Sequence, residues 1–103
     1  MLQTKDSSPY SKMILPIIKD LKVIAYPNPY EKNFQLMISS PETGIATIEF
    51  FTLYGEKIYE MKKPVQANTN SKIMYTGPTQ YTILIYKVNI GKQHASGFVL
   101  KPN

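Results

Sequence analysis

The residues that most often carry out chemistry in enzymes are few in this chain, and they are not grouped. The sequence has one histidine, His94, and no cysteine. A Ser-His-Asp triad could be assembled on paper from Ser96, His94 and Asp20, but no motif positions an activated serine. A zinc site at His94 would need several carboxylates around it, and none lies nearby in sequence. We therefore expect a surface histidine, no catalytic residues, no metal site and no cofactor.

The acidic residues and the glycines do not form a recognisable site either. Glu42, Glu49, Glu56 and Glu60 fall on expected turns and outward strand positions, where carboxylates are normally solvated. The glycines are isolated and do not form a phosphate-binding loop. From these residues we predict that the protein is not an enzyme.

The basic residues argue against a nucleic-acid partner. The net charge of +5 comes from twelve lysines against seven acids, and the sequence has no arginine. Arginine supplies the two-pronged hydrogen bonds on which base and phosphate recognition usually depends, whereas lysine supplies only a point charge. The lysines are also scattered along the chain, and Lys62 and Lys63 are the only adjacent pair. We expect them to be solubilising charges on the surface.

The apolar segments are too short for a membrane span. The longest run covers residues 13–18, and Pro16 interrupts it. This run is also too short for the apolar region of a secretory signal, and no small-residue cleavage site follows it. We therefore predict no membrane insertion. If the protein is exported, its export signal is expected to lie on other residues.

The elements that would position these side chains are strands. Residues 1–20 mix polar residues with two prolines and are predicted to be a linker, so that residues 21–103 form one domain. The sequence Tyr26-Pro27-Asn28-Pro29-Tyr30 predicts a corner, because each proline fixes its own φ and favours extended geometry before it. Alternating apolar residues and turn signals predict strands at 22–26, 33–39, 45–53, 57–61, 72–76, 80–89 and 93–101.

Seven short strands with regular turn signals predict an all-β fold. We expect an immunoglobulin-like antiparallel β-sandwich of about seven strands, without the cysteine pair and tryptophan of antibody domains. The residues expected to hold this scaffold together are Phe34, Ile48, Phe50, Ile83 and Ile85.

Three blocks of the sequence, in order, carry a family resemblance. They are VIAYPNPYEKNFQL at 23–36, ATIEFFTLYGEKIYE at 46–60 and YTILIYKVNIGKQHASGFVLK at 81–101. Together they resemble the C-terminal sorting domain of proteins exported by the type IX secretion system of Bacteroidetes. The chain departs from the family pattern at Lys32 and Gln80, where glycine is usual, and at Thr52, where aspartate is usual.

The resemblance implies a secretion signal. Such a domain targets a larger cargo protein through the outer-membrane type IX translocon, with the help of shuttle components, for release or cell-surface attachment. The route passes from the periplasm through the outer membrane, so the cargo is secreted or displayed at the surface. A surface sortase commonly cuts the linker before the domain, which here corresponds to residues 1–20.

The resemblance also suggests which residues the translocon machinery reads. We expect the folded sandwich and its last hairpin, residues 81–101, to be recognised through strand addition or shape. The candidate contact residues are Pro27, Asn28, Pro29, Gly55, Lys92, Val99, Leu100 and Lys101.

Two other functions remain open at this level. The first is an immunoglobulin-like accessory module for protein or polysaccharide binding, whose mark would be an exposed aromatic strip formed by Tyr26, Tyr30, Tyr54 and Tyr75. The second is a standalone enzyme, which would require a pocket that a small sandwich seldom offers.

Overall fold

A computed structural model describes residues 17–102 of the chain. The predicted linker falls mostly on residues 1–16, which lie outside the described residues, as does Asn103. The described part has seven strands: β1 (Lys22–Tyr26), β2 (Gln35–Ser39), β3 (Gly44–Phe51), β4 (Lys57–Val65), β5 (Asn70–Met74), β6 (Ile83–Ile90) and β7 (Gln93–Leu100). Residues 17–102 include no helix long and apolar enough to cross a bilayer.

The strands form two antiparallel sheets that pack face to face. One sheet has the order β1-β2-β5 and the other has the order β4-β3-β6-β7. The predicted all-β, immunoglobulin-like sandwich of about seven strands is confirmed. In the constant-type immunoglobulin arrangement the fourth strand belongs to the first sheet. Here β4 pairs with β3 in the second sheet, which leaves β4 and β7 as that sheet's edges.

The core forms where alternating residues of the two sheets meet. Leu36 and Ile38 of β2 and Ile48 and Phe50 of β3 are buried, as their alternation predicts. The larger buried set comes from both sheets and the segments between them: Leu21, Tyr30, Phe34, Leu36, Ile38, Ala46, Ile48, Phe50, Val65, Ile73, Tyr75, Leu84, Tyr86, Val88, Ile90 and Val99. Phe34, Ile48 and Phe50 therefore hold the scaffold as predicted.

The prediction that Ile83 and Ile85 belong to the core is wrong. Leu84 and Val88 of β6 are completely buried, whereas Ile83 and Ile85 are only half-buried. The outer face of this strand is apolar only at its start, because Lys87 and Asn89 follow Ile83 and Ile85, whereas its inner face is apolar along the whole strand. The pairing of β6 with β3 and β7 accordingly places Ile85 opposite Phe51 and Phe98 on the outer side.

An aromatic cluster fills the end of the core that includes Tyr75. The ring of Tyr75 stacks on Phe34 with centroids 4.7 Å apart and meets Phe50 edge-on at 4.6 Å. The predicted exposed strip of tyrosines is not formed by these residues, because Tyr30 and Tyr75 are only 1% and 3% exposed. Burial accordingly raises the pKa of both phenols. Tyr26 and Tyr54 are the exposed members of the four.

The turns agree with prediction more closely than the strand ends do. Gly55 has a φ of 93° in the β3–β4 turn, a conformation that favours glycine. The hydroxyl of Thr52 accepts hydrogen bonds there from the backbone N–H groups of Tyr54 and Glu56. The β4 strand, expected to end at residue 61, runs on to Val65 through Pro64. An edge strand tolerates proline because its missing N–H can face away from the sheet.

Candidate functional site

The proline corner is attached to the last strand. The side-chain amide of Asn28 donates a hydrogen bond to the carbonyl oxygen of Phe98, at 3.0 Å. Its Oδ1 accepts one from the backbone N–H of Leu100, at 2.9 Å. The N–H of Tyr30 then donates to the carbonyl of Leu100, at 2.9 Å. These four residues form what we call the Asn28 clasp, which makes the bonds that a neighbouring strand would make along the end of β7.

The remainder of the β7 edge is open to hydrogen bonding. In an antiparallel pair, successive residues direct their N–H and C=O groups alternately toward and away from the partner strand. The groups of Leu100 point to the clasp, so those of His94, Ser96 and Phe98 also point away from β6. Of these six groups, only the Phe98 carbonyl has a hydrogen-bond partner within residues 17–102. The free section of this edge is therefore centred on Ser96.

A close approach at Gly97 joins β7 to the other sheet. The ring of Tyr86 passes over Gly97, where a Cβ atom would lie only 2.6 Å from Tyr86 Cζ. The Tyr86 hydroxyl reaches the carbonyl of Val23 in β1, at 3.2 Å. Burial of this phenol raises its pKa. Gly97 is thus required for the ring that connects the β7 side of the second sheet with β1.

An apolar patch covers the outer face of the same sheet, beside the end of β7. We define it as Leu53, Ile83, Ile85, Phe98 and Leu100, which line one shallow groove together with Ser96 and Gly97. Leu53 is 60% exposed and Phe98 57% exposed, so the patch faces the solvent. Contiguous apolar surface of this kind commonly marks an interaction site.

The other half of this outer face is mostly polar, apart from the exposed Ile45. Pairing across the sheet places Glu60, Glu49, Lys87 and Ser96 in one row. The ammonium of Lys57 lies 2.7 Å from the carboxylate of Glu60 and 3.3 Å from that of Glu49. Hydrogen bonds to the two carboxylates raise the pKa of Lys57, and the bond to Lys57 lowers the pKa of Glu60.

Lys87 stands at the boundary between the polar half and the apolar patch. Its ammonium lies over the ring of Phe51, 4.9 Å from the centroid, and has no ion-pair partner among residues 17–102. At the other limit of the patch, the ammonium of Lys101 donates to the carbonyl of Thr79, at 2.8 Å. These two lysines give the patch a basic rim.

Most of the contact residues predicted from the sequence meet at one end of the sandwich. Asn28 touches β7 through the clasp, and Pro29, Leu100 and Lys101 line a common shallow groove. Pro27 belongs to the same corner. The β3–β4 turn that contains Gly55 lies at this end as well, since its neighbours Tyr54 and Glu56 line another groove together with residues 81–83.

Two of the predicted contact residues are placed differently. Val99 is completely buried in the core, so its side chain is not available to a partner. Lys92 lies in the β6–β7 turn, at the opposite end of β6 from Ile83. The eight residues of β6 span about 23 Å at the usual rise per residue, so Lys92 is far from the corner.

The residues first considered for catalysis are not assembled into a site. His94 and Ser96 are exposed on β7, and no hydrogen bond joins either of them to Asp20 within residues 17–102. In that part of the chain there is also no group of three or more histidine, cysteine or acidic residues able to hold a metal ion.

Comparisons with known proteins give no match for this chain: no family model, no curated protein and no solved structure is significantly similar. Its function must therefore be argued from the geometry of the β7 end and from the sequence blocks themselves.

Sequence reasoning missed two features of this site. The first is the clasp, because the sequence shows Asn28 as a turn former and gives no sign of a contact with Phe98 and Leu100. The second is the apolar patch. A signal for it was present, since Ile83 and Ile85 add an apolar outer face to a strand whose inner face is already apolar. A strand buried on one side only does not require both.

Proposed function

We propose that residues 21–103 form a C-terminal sorting domain that targets a larger cargo protein through the type IX translocon. The observation that carries the proposal is the Asn28 clasp. The first and third sequence blocks that resemble the family contain, respectively, Asn28 and the pair Phe98 and Leu100. These residues are joined by hydrogen bonds across 70 positions and more. The resemblance thus involves residues that form one local structure.

The second block contributes to the same end of the molecule. It supplies the Gly55 turn, which borders the start of β6, and Leu53 of the apolar patch. All three blocks therefore contribute to a single surface around the end of β7. A surface of this kind suits recognition, because it combines a partly free strand edge with an exposed apolar patch.

In this proposal the translocon machinery reads a folded sandwich. The clasp holds the end of β7 against β6, so the terminal residues are presented in a fixed geometry and not as a free tail. The sortase then acts on the linker before the domain, and the cargo is released or attached to the cell surface. The domain itself performs no catalysis in this scheme.

The alternative of a polysaccharide-binding accessory module has weaker support. Two of the four tyrosines that would form its aromatic strip, Tyr30 and Tyr75, are packed in the core. Tyr26 and Tyr54 alone are exposed among the four. Specific binding on a glycan array, reduced when both exposed tyrosines are replaced by alanine, would favour this function over sorting.

A fusion protein tests the sorting function. It would join a Sec signal peptide, a fluorescent protein able to fold after export, and residues 1–103, in a gliding Bacteroidetes host with or without a working translocon. We expect fluorescence in the medium or on the surface only when the translocon works. Periplasmic retention in both strains would contradict the proposal, and a fusion without residues 1–103 provides the control for leakage.

Removing residues 98–103 from the fusion tests the role of the terminal strand. The deletion takes away both clasp partners, so we expect export to be abolished. A matched control is Lys92→Gln, which alters the turn at the opposite end and leaves the clasp intact. Normal secretion of the truncated fusion would refute the proposed role of the β7 end.

A further inference from the structure

The two edges of the second sheet leave one place where a further strand can add. The edge of β7 offers the N–H and C=O groups of Ser96, flanked by those of His94 and by the N–H of Phe98. The clasp occupies the end beyond Phe98. An added strand can therefore bond to His94 and Ser96, beside β1, which already packs against β7, and cannot continue along Leu100.

The position of this free section relates it to the apolar patch. In a strand paired with β7, alternate side chains share the outer face with His94, Ser96 and Phe98. A side chain opposite Phe98 lies beside the patch, in line with Ile85. A side chain opposite Ser96 lies in the row that contains Lys87. Apolar and acidic residues two positions apart would therefore meet complementary neighbours.

Charge decides between a partner protein and a second copy of the chain. The chain carries a net charge of +5, and the lysines at the limits of the patch, Lys87 and Lys101, have no ion-pair partner among the described residues. Two copies that met at this surface would bring these charges together. An acidic residue in another protein would instead attract Lys87, whose exposed ammonium lies over the Phe51 ring.

We infer that the free edge of β7 and the apolar patch bind an extended segment of a partner protein, in which an acidic residue and apolar residues alternate with small polar ones. The segment pairs its backbone with Ser96, places apolar side chains against Ile85 and Phe98, and directs its carboxylate to Lys87. This inference deepens the proposed function and rests on it, since the partner would be a component of the export machinery.

A synthetic peptide tests the binding mode on the full 103-residue chain. The probe is a nine-residue peptide with capped ends, one glutamate and two isoleucines at alternate positions, and threonines between them, made in both sequence orders. In an NMR titration we expect it to shift the amide signals of His94, Ser96 and Phe98. No shift at millimolar peptide, or shifts centred on β4, would overturn the inference.

Two modified peptides separate strand addition from simple apolar adhesion. Methylation of the backbone nitrogens that would bond Ser96 should weaken binding about tenfold, because the hydrogen bonds to the edge are lost. Replacement of the glutamate by lysine should weaken it several-fold, because Lys87 then repels the peptide. Equal binding of the parent and methylated peptides would overturn strand addition.

Matched variants of the protein test the same surface. Ser96→Pro removes an N–H that points away from β6, whereas Ser96→Ala keeps it. Ile85→Thr alters the patch, whereas Ile45→Thr makes the same change at a residue 58% exposed in the same sheet, on the first half of β3. We expect the first variant of each pair to lose binding at least about fivefold and the second to bind normally. Urea unfolding verifies that all four are folded, and normal peptide binding by folded Ser96→Pro and Ile85→Thr would overturn the inference.

The export fusion distinguishes failure of this inference from failure of the sorting function. If the unmodified fusion leaves the cell without a working translocon, the sorting function fails, whatever the peptide result. If its export needs the translocon and the folded Ser96→Pro and Ile85→Thr fusions are exported normally, the inference fails and the sorting function stands. Loss of export in these two variants, with normal export of Ser96→Ala and Ile45→Thr, supports both.

Discussion

The β4 and β7 edges of the same sheet are protected in opposite ways. The β4 edge carries Lys57, Lys62, Lys63 and Pro64, and β7 has no charged residue and no proline. Lys63 is paired with the buried Ala46, so it sits on the inward-facing side of an edge strand. Charges and prolines of this kind prevent other chains from adding to an exposed edge. On β7 the equivalent protection comes from the distant Asn28, and it covers the end of the strand alone.

The difference shows that a strand edge can be protected by its own residues or by residues that are distant in sequence and that packing brings beside it. The β4 edge is unsuited to pairing by its own composition. The β7 edge is covered only after β1 and the corner have packed beside it, and its section around Ser96 remains available. We expect a surface that binds a partner on an edge of the β7 kind, which is only partly covered. Three substitutions test this contrast between the β4 and β7 edges.

The largest loss of stability is expected for Gly97→Val, on the β7 side. A Cβ at this position would lie 2.6 Å from Tyr86 Cζ, so the Tyr86 ring must leave its place and lose its bond to Val23. Overpacking together with the lost hydrogen bond should reduce the free energy of unfolding by about 2–4 kcal/mol. Urea denaturation measures this value.

Gly44→Ala is the control for this change. Its Cβ would meet only Ile90 Cγ2 at 3.5 Å, which is ordinary contact, so we expect a change within about 0.5 kcal/mol. Equal stability of the Gly97→Val protein and the parent would show that the close approach of Tyr86 is not needed to hold β7.

An intermediate effect is expected for Asn28→Ala. This change removes the two hydrogen bonds of the clasp and should lower the free energy of unfolding by about 1–2 kcal/mol. Asn28→Asp can still accept from Leu100 but cannot donate to Phe98, so its stability should fall between those of Asn28→Ala and the parent. Hydrogen exchange of the Leu100 amide should be faster in Asn28→Ala, which loses the acceptor of this N–H.

Lys62→Ala on the other edge provides the comparison for Asn28→Ala. It alters a surface lysine of β4 and should change stability by no more than about 0.5 kcal/mol. Unchanged exchange at Leu100 in Asn28→Ala would mean that the corner does not protect β7.

The smallest change in stability is expected from the loss of the ion pair between Lys57 and Glu60 in β4. Folding lowers the pKa of Glu60, so its carboxylate stabilises the protein above the ordinary glutamate pKa. This stabilisation disappears as the pH falls through the lowered pKa. Glu60→Gln should therefore be slightly less stable than the parent at about pH 7 and equal to it at about pH 2. A difference in urea midpoint that persisted in acid would argue against the ion pair as its cause.

The elements of the fold could be predicted from the sequence because their signals are local. The alternation of Leu36 and Ile38, the turn at Gly55 and the end of β1 at the prolines follow from the residues themselves. Pro64 was misleading, since proline normally interrupts a strand and the sequence does not show that β4 is an edge.

The contacts of the candidate site depend on pairing between distant strands and were not predictable in the same way. The outward position of Ile83 and Ile85 is fixed by partners in β3 and β7, and the burial of Tyr30 and Tyr75 by packing across the two sheets. The contact of Asn28 with β7 is of the same kind. The sequence placed Asn28 and Leu100 among the residues of one site through a family resemblance, and the hydrogen bonds between them appear only in three dimensions.

The long separation between Asn28 and its partners has a consequence for how the chain folds. Two hydrogen bonds of the clasp connect residues 70 and 72 positions apart, and β7 is the last strand to be synthesised within the described chain. Folding dominated by such distant contacts is slow, typically taking milliseconds to seconds. During synthesis the first strands must wait for residues 98–100 before the corner can close. The corner can therefore reach its folded structure only after the end of β7 has been synthesised and has packed in its place.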